Sequence, residues 1–290
     1  MTKPTDPITA SGPNAEQIEF WNSEAGAKWS DFNPQLDRMM APISAVVIDR
    51  ATPQAGEQVL DIGCGCGDTT LTLARRVGPD GAVTGVDVSV PMLAVARRRA
   101  AEAGLAITLL NADAETHGLE AAQFDLAFSR FGVMFFNNPQ AAFANIAGAL
   151  TPGGRLTFVC WRAAALNPWV AIPIAAVRPL VPDFVPPDPE APGPFAFADG
   201  GRVEAILAAA GFRDVTLDSQ ELVLNVGEGD LDACVDGILK LGSVTRLLRE
   251  ADDATMAAAA EAVHDAVAPY HTGKTLELSA TVWLVSGRRP

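Results

Sequence analysis

From Gln58 to Trp161 short aliphatic and β-branched runs alternate with stretches whose apolar positions recur every three or four residues. Val59-Leu60-Asp61-Ile62 predicts a strand, then a glycine-rich loop, then a helix from Thr69 to Val77. Ala82 to Asp87 predicts a second strand, and Ser89 caps a helix from Val90 to Ala103 that stops at Gly104. Ala106–Leu110 and Phe124–Ser129 predict two more strands. A helix over Gln140–Leu150 follows, then a turn at Thr151-Pro152-Gly153-Gly154 and a fifth strand from Arg155 to Trp161. Strands that alternate with helices form a parallel sheet covered on both faces, because each crossover must pack back onto the sheet.

After Trp161 the rhythm changes. Seven prolines lie between Pro179 and Pro194, and proline suits neither a helix interior nor a central strand. This predicts an extended excursion that serves as a wall or lid. Asp199 caps a helix to Ala210, closed by Gly211, and Val215–Val226 and Thr275–Val285 suit strands six and seven. An alanine-rich helical insertion separates those two strands. The expected fold is α/β: a doubly wound, Rossmann-like, mostly parallel seven-stranded sheet with helices on both faces and a helical cap. The expected division is an N-terminal helical lid (1–50), a nucleotide-binding core (51–161) and a proline-rich insertion (162–198). The rest of the sheet (199–290) carries the cap insertion 228–272.

With 35 acidic against 21 basic side chains among 290 residues, the formal charge is −14. Nucleic-acid binding needs a basic face that releases phosphate counterions, so the charge argues for a small-molecule partner. The longest apolar run, Ala163–Val177, is broken by Pro168 and Pro173 and is too short for membrane insertion. Cys64, Cys66, Cys160 and Cys234 lack the pairing of a metal site or a secreted scaffold, so they read as reduced thiols of a cytoplasmic protein with no metal. Met1–Asn14 is polar and does not read as a signal peptide. A homodimer is compatible with these features.

The strongest motif is Asp61-Ile62-Gly63-Cys64-Gly65-Cys66-Gly67-Asp68, set between a strand and a helix. Its glycines allow a tight turn and close approach of a ligand to the backbone. Asp87 ends the next strand, where a carboxylate accepts hydrogen bonds from both hydroxyls of a ribose. Dinucleotide loops space their glycines differently, and the carboxylates of Asp61 and Asp68 would repel a pyrophosphate. A sulfonium-bearing, phosphate-free nucleoside suits them better.

At these residues the sequence resembles the class I S-adenosylmethionine-dependent methyltransferases, in the branch near the ubiquinone/menaquinone C-methyltransferases. The carriers are Val59–Gly67, Gly85-Val86-Asp87-Val88-Ser89 with Pro91-Met92-Leu93, Asn111-Ala112-Asp113-Ala114, Phe124-Asp125-Leu126 and Leu150–Leu156. The resemblance implies that Asp61, Gly63, Gly65 and Gly67 hold the methionyl part of S-adenosylmethionine and Asp87 its ribose. It further implies that Asp113 holds the adenine amino group and Met92 the adenine ring, with Val88, Ala114 and Ser129 beside them. The duller alternative, Asp87 and Asp113 as helix caps or strand ends, is outweighed by the other motifs.

The acceptor side should lie after strands four and five and in the lid. Trp21, Trp29, Arg130, Phe131, Met134, Phe135, Trp161 and Trp169 fall there, including four of the five tryptophans. Arg130 either grips an acceptor anion or pairs with an acidic side chain. No catalytic base is assigned. The expected reaction is in-line methyl transfer to a small, apolar or amphipathic metabolite, leaving S-adenosylhomocysteine. A non-catalytic S-adenosylmethionine-binding protein and an NAD(P)-dependent oxidoreductase are the alternatives.

Overall fold

The computed structural model describes residues 8–241 and 244–290. The start of the expected lid (1–7) and two residues of the expected cap insertion (242–243) lie outside these described residues. One seven-stranded sheet organises the chain: β1 (Gln58–Ile62), β2 (Ala82–Asp87), β3 (Thr108–Asn111), β4 (Phe124–Arg130), β5 (Leu150–Trp161), β6 (Arg213–Glu228) and β7 (Thr275–Arg288). Their spatial order is β3-β2-β1-β4-β5-β7-β6. All pairs from β3 to β5 are parallel, and β7 is antiparallel to both β5 and β6. Strand order reverses between β1 and β4, which places a ligand crevice at the carboxyl ends of those two strands.

The helices are α1 (Ala15–Asn22), α2 (Glu24–Asp31), α3 (Asn33–Ala51), α4 (Asp68–Val77), α5 (Val90–Ala103) and α6 (Pro139–Ala149). They continue with α7 (Pro168–Val177), α8 (Gly200–Ala209), α9 (Leu231–Leu241), α10 (Val244–Leu247) and α11 (Asp253–Val267). Side-chain caps start several of them: Ser89 accepts from the Met92 N–H, Asn138 from Ala141, Asp199 from Gly201 and Asp252 from Thr255. Gly104 ends α5 in the left-handed conformation. The main core lies between helices and sheet, and Leu60, Leu126, Phe128 and Phe158 at its centre are completely buried.

Two expectations change. The turn expected at 151–154 lies inside β5, where pairing resumes from Phe124↔Leu150 to Leu126↔Arg155 across a register shift. Gly153 at φ +78° absorbs that shift, and its N–H donates to the Arg289 carbonyl. The insertion expected at 162–198 is not loop throughout, although no α-helix falls within the extended excursion expected between Pro179 and Pro194. Asn167-Pro168 opens helix α7, because proline at the first helical position gives up an N–H that needs no partner there.

Beyond Trp161, which pairs with Val282, strands β6 and β7 run on together to Glu228↔Thr275. Seven more residues of β7, at about 3.3 Å each, carry this hairpin roughly 23 Å past the carboxyl edge of β5. A second apolar core grows on it from α7, α9, α10 and α11, with Val177, Ile238, Val263 and Leu276 buried at its centre.

Candidate functional site

The glycine loop follows β1 because three successive alternate positions take positive φ: Gly63 +67°, Gly65 +52° and Gly67 +84°. Gly63 also faces Gly132, after β4. A Cβ added to Gly63 would lie 2.6 Å from the Gly132 Cα, so the two strand ends touch backbone to backbone. Ser129 locks this junction, its hydroxyl donating to the Ile62 carbonyl at 2.7 Å and accepting from the Gly132 N–H at 3.1 Å.

Asp61 is completely buried beneath the loop. Its Oδ2 accepts from the hydroxyls of Thr69 at 2.8 Å and Thr70 at 2.6 Å, while Oδ1 is buried with no hydrogen-bond partner. Burial raises its pKa to about 6, against the lowering effect of the two threonines. A carboxyl that loses hydration and keeps one oxygen unpaired is suited to meet a cation.

Asp87 lies at the end of β2 and accepts from the Gly65 N–H at 2.8 Å and the Ser89 N–H at 2.8 Å. It therefore shapes the loop and holds Ser89, the cap of α5, at once. Burial raises its pKa, and these backbone donors oppose the rise. Asp113, after β3, accepts from the Glu115 N–H and the Thr116 hydroxyl, so it closes its own turn. The N-terminal segment reaches Asp113, Asn111 and the residues after Asp87. Asn14 donates to Asp113 at 3.3 Å, the Ile8 N–H to Asn111, Asn22 to the Val88 carbonyl, and the Ser89 hydroxyl to the Trp21 carbonyl. Met92 packs with Cys66 and Val95 under Trp21 and Trp29, so the first two helices cover the loop. Ala114 is buried in the main core, and its carbonyl accepts from Asn145.

Asp68 does not present a free negative charge to the loop. Its Oδ2 receives Arg130 Nη1 at 2.8 Å and the Ser44 hydroxyl at 3.3 Å, and Arg99 stands 3.9 Å from Oδ1. Repulsion of a pyrophosphate by Asp68 is accordingly not a valid argument against a dinucleotide. Arg99 also pairs with Asp37 at 2.8 Å and donates to the Cys66 carbonyl at 3.0 Å, which ties α3 and α5 to the loop. Of the two roles open to Arg130, the structure shows the ion pair.

The acceptor candidates fall into two aromatic groups. Trp21 meets Trp29 and Phe135 edge to face at 5.7 and 5.2 Å. Phe131 stacks on Trp161 at 4.2 Å and 12°, and Trp161 meets Trp169 at 4.8 Å. Met134 belongs to the main core, 1% exposed. The sequence reading missed the hydrogen-bonding roles of Asn14, Asn22, Asn111, Thr69 and Thr70. Only the threonines, one turn past a glycine loop and eight or nine positions from Asp61, carried a local hint. The asparagines act 66 to 103 positions away in sequence.

Residues 59–154 match the profile of a family described as a methyltransferase domain. Over these residues the chain is similar to methyltransferase domains. Among curated relatives, an aklanonic acid methyltransferase of Streptomyces sp. is 41% identical over 118 residues, 40% of this chain and 54% of that protein. A nocamycin O-methyltransferase of Saccharothrix syringae is 29% identical over 85% of this chain and 90% of its own. A demethylmenaquinone methyltransferase of Thermus thermophilus is 38% identical over 38% of this chain and 49% of its own. The chain thus aligns with about half the length of the first and third. Among solved structures, a phosphoethanolamine N-methyltransferase of Haemonchus contortus, in complex with S-adenosyl-L-methionine, superposes with a TM-score of 0.57 at 17% identity, over 94% of this chain and 60% of that one. That likeness is one of fold.

The donor set fits S-adenosylmethionine. Among the described residues, the buried, unpaired oxygen of Asp61 faces no cation within hydrogen-bonding distance, and the ligand carries an ammonium and a sulfonium. Among the described residues no helix is long and apolar enough to cross a membrane.

Proposed function

We propose that the chain is a methyltransferase acting on a small, apolar or amphipathic acceptor, with S-adenosylhomocysteine as second product. The observation that carries this reading is the buried Asp61 carboxyl with one unsatisfied oxygen directly beneath the glycine loop. When bound, S-adenosylmethionine supplies a methyl group on positively charged sulfur. Asp61 and the loop amides would hold its methionyl end, Asp87 the ribose, and Asp113 with Met92 the adenine, flanked by Val88 and Ala114. Ser129 and the Gly63–Gly132 contact position the loop rather than touch ligand.

On the acceptor side the two aromatic groups form apolar walls, with Arg130 tying the wall to the loop through Asp68. Such walls exclude water and hold an acceptor in line with the reacting methyl, a geometric contribution that suffices for much of the rate of a displacement. The names of the relatives, for aklanonic acid, nocamycin and demethylmenaquinone, support a small-molecule acceptor. The charge of −14 supports it over nucleic acid. Four buried thiols without a disulfide support a cytoplasmic setting.

Calorimetric titration with S-adenosylhomocysteine tests the site. Binding in the micromolar range is expected, and no heat at millimolar ligand rejects the proposal. Transfer of a labelled methyl group to a cell extract, followed by mass spectrometry of the product, tests the reaction. Binding without transfer would assign a non-catalytic ligand-binding role instead.

A further inference from the structure

Four non-glycine residues among those described hold a positive φ: Thr52, Ala122, Phe131 and Asp214. Thr52 precedes β1, Ala122 precedes β4, and Asp214 sits at the start of β6, so these three lie at the amino edge of the sheet. Phe131, at φ +66°, lies at the carboxyl edge, where such a sheet binds its ligands. A bulky side chain in the left-handed region persists only where its surroundings impose it, and such positions concentrate at functional sites.

The surroundings here are explicit. Arg130, on one side, is held by Asp68 at 2.8 Å and Ser44 at 2.6 Å. Gly132, on the other, is pressed against Gly63, since an added Cβ would lie 2.8 Å from the Gly63 Cα. The Phe131 N–H itself donates to the Val159 carbonyl at 3.1 Å. The turn is pinned at three consecutive residues to the cofactor loop and to β5. Its outcome is the near-parallel stack of Phe131 on Trp161, which Trp169 meets at a tilt of 47°. Trp161 is buried, whereas Phe131 and Trp169 are half-buried.

We infer that Phe131 is a specificity-determining residue for the methyl acceptor: the pinned turn presents its ring as the end of an aromatic stack that selects a flat ring over a puckered one of equal size. The inference rests on the methyltransferase reading above. A flat partner stacks on an aromatic face, and a saturated one forgoes that contact.

The test uses the full chain with S-adenosylhomocysteine bound, and two calorimetric probes, 2-naphthol and its saturated counterpart 2-decalol. The expected preference for 2-naphthol is about fivefold. Phe131→Leu keeps bulk but loses the flat face, so it should bring the ratio to about one while leaving S-adenosylhomocysteine affinity unchanged. Equal affinity in the wild type, no binding of either probe, or an unchanged ratio in the variant overturns the inference. A second comparison reads the backbone: at an ordinary position glycine destabilises relative to alanine, but here Phe131→Gly should melt at or above Phe131→Ala. The opposite order overturns the strained turn. Failure of the wild type to bind S-adenosylhomocysteine would instead reject the underlying reading, and the melting order would still decide on the turn.

Discussion

Asp61 shows how one residue trades stability for binding. In the unfolded chain its pKa is near 3.8, and burial raises it to about 6 in the folded protein. The folded state therefore holds the proton more tightly. Stability contributed by this group is greatest below about pH 4 and is lost as pH rises through 6, with an upper limit of about 3 kcal/mol. Asp61→Asn should flatten that slope, so that urea unfolding at pH 8 needs as much urea as in the wild type or more. The same variant should weaken S-adenosylhomocysteine binding several-fold, because the cation loses its counter-charge. Wild-type affinity should itself fall as pH drops below about 6, since Asp61 is then neutral. Asp87 is different: it serves the backbone of the loop and the cap of α5 as well as the proposed ribose. Asp87→Ala should raise the dissociation constant about ten- to a hundredfold by calorimetry, the worth of a charge-assisted hydrogen bond. Unchanged affinity would refute the ribose assignment. Both acids were legible in the sequence as ends of strands beside glycines. Their ties to Thr69, Thr70 and Gly65 were not, because a hydrogen-bond partner depends on where the next turn places it.

At the scale of elements, the site exists because β1 and β4 end within backbone contact of each other. Gly132 has an ordinary negative φ, so its requirement is one of space: an added Cβ would lie 2.6 Å from the Ile62 carbonyl oxygen. Gly132→Ala should cost about 1–3 kcal/mol by urea denaturation, as overpacking does, and should disturb ligand binding at both strand ends. A variant as stable as the wild type would mean that the strand ends can part without consequence. Strands β1 to β4 and helices α4 to α6 could be read from period and caps, since their signals are local. The bulged start of β5 could not. Pro152-Gly153-Gly154 has turn chemistry, and only pairing with β4 and the Arg289 carbonyl makes it a strand. Likewise, α7 was hidden by its prolines, one of which starts the helix while Pro173 lies inside it.

At the scale of the molecule, beside the small cluster around Met92, two larger apolar cores stand out among the described residues. One lies between helices and sheet; the other is carried by the projecting β6–β7 hairpin, and Val226 packs against both. The smaller core should open first. In native-state hydrogen exchange, amides of α9 and α11 should exchange at lower free energy than those of β1 and β4. Val263→Ala, which removes buried methyl groups from the cap, should widen that gap by about 1–3 kcal/mol while leaving sheet protection unchanged. Equal protection in both regions would show that cap and sheet unfold as one unit. The helical insertion was legible as an alanine-rich stretch between two strands. That it would share a core with α7, more than 50 residues away in sequence, was not.

By itself, the sequence determined the alternation of strands and helices, the glycine loop, and the acids at the ends of β1 and β2, together with Asp113 just past β3. These follow from period, backbone freedom and spacing along a short stretch of chain. Tertiary structure decided what those groups face. It left Asp61 with one oxygen unpaired, spent Arg130 on Asp68 and joined Asn14, Asn22 and Asn111 to partners 66 to 103 positions away. It also turned Phe131 onto Trp161 through a backbone conformation that its own side chain disfavours. The physical reason is common to all four. Burial, charge balance and strain are properties of surroundings, and the surroundings of a residue are assembled from segments that only the fold makes neighbours.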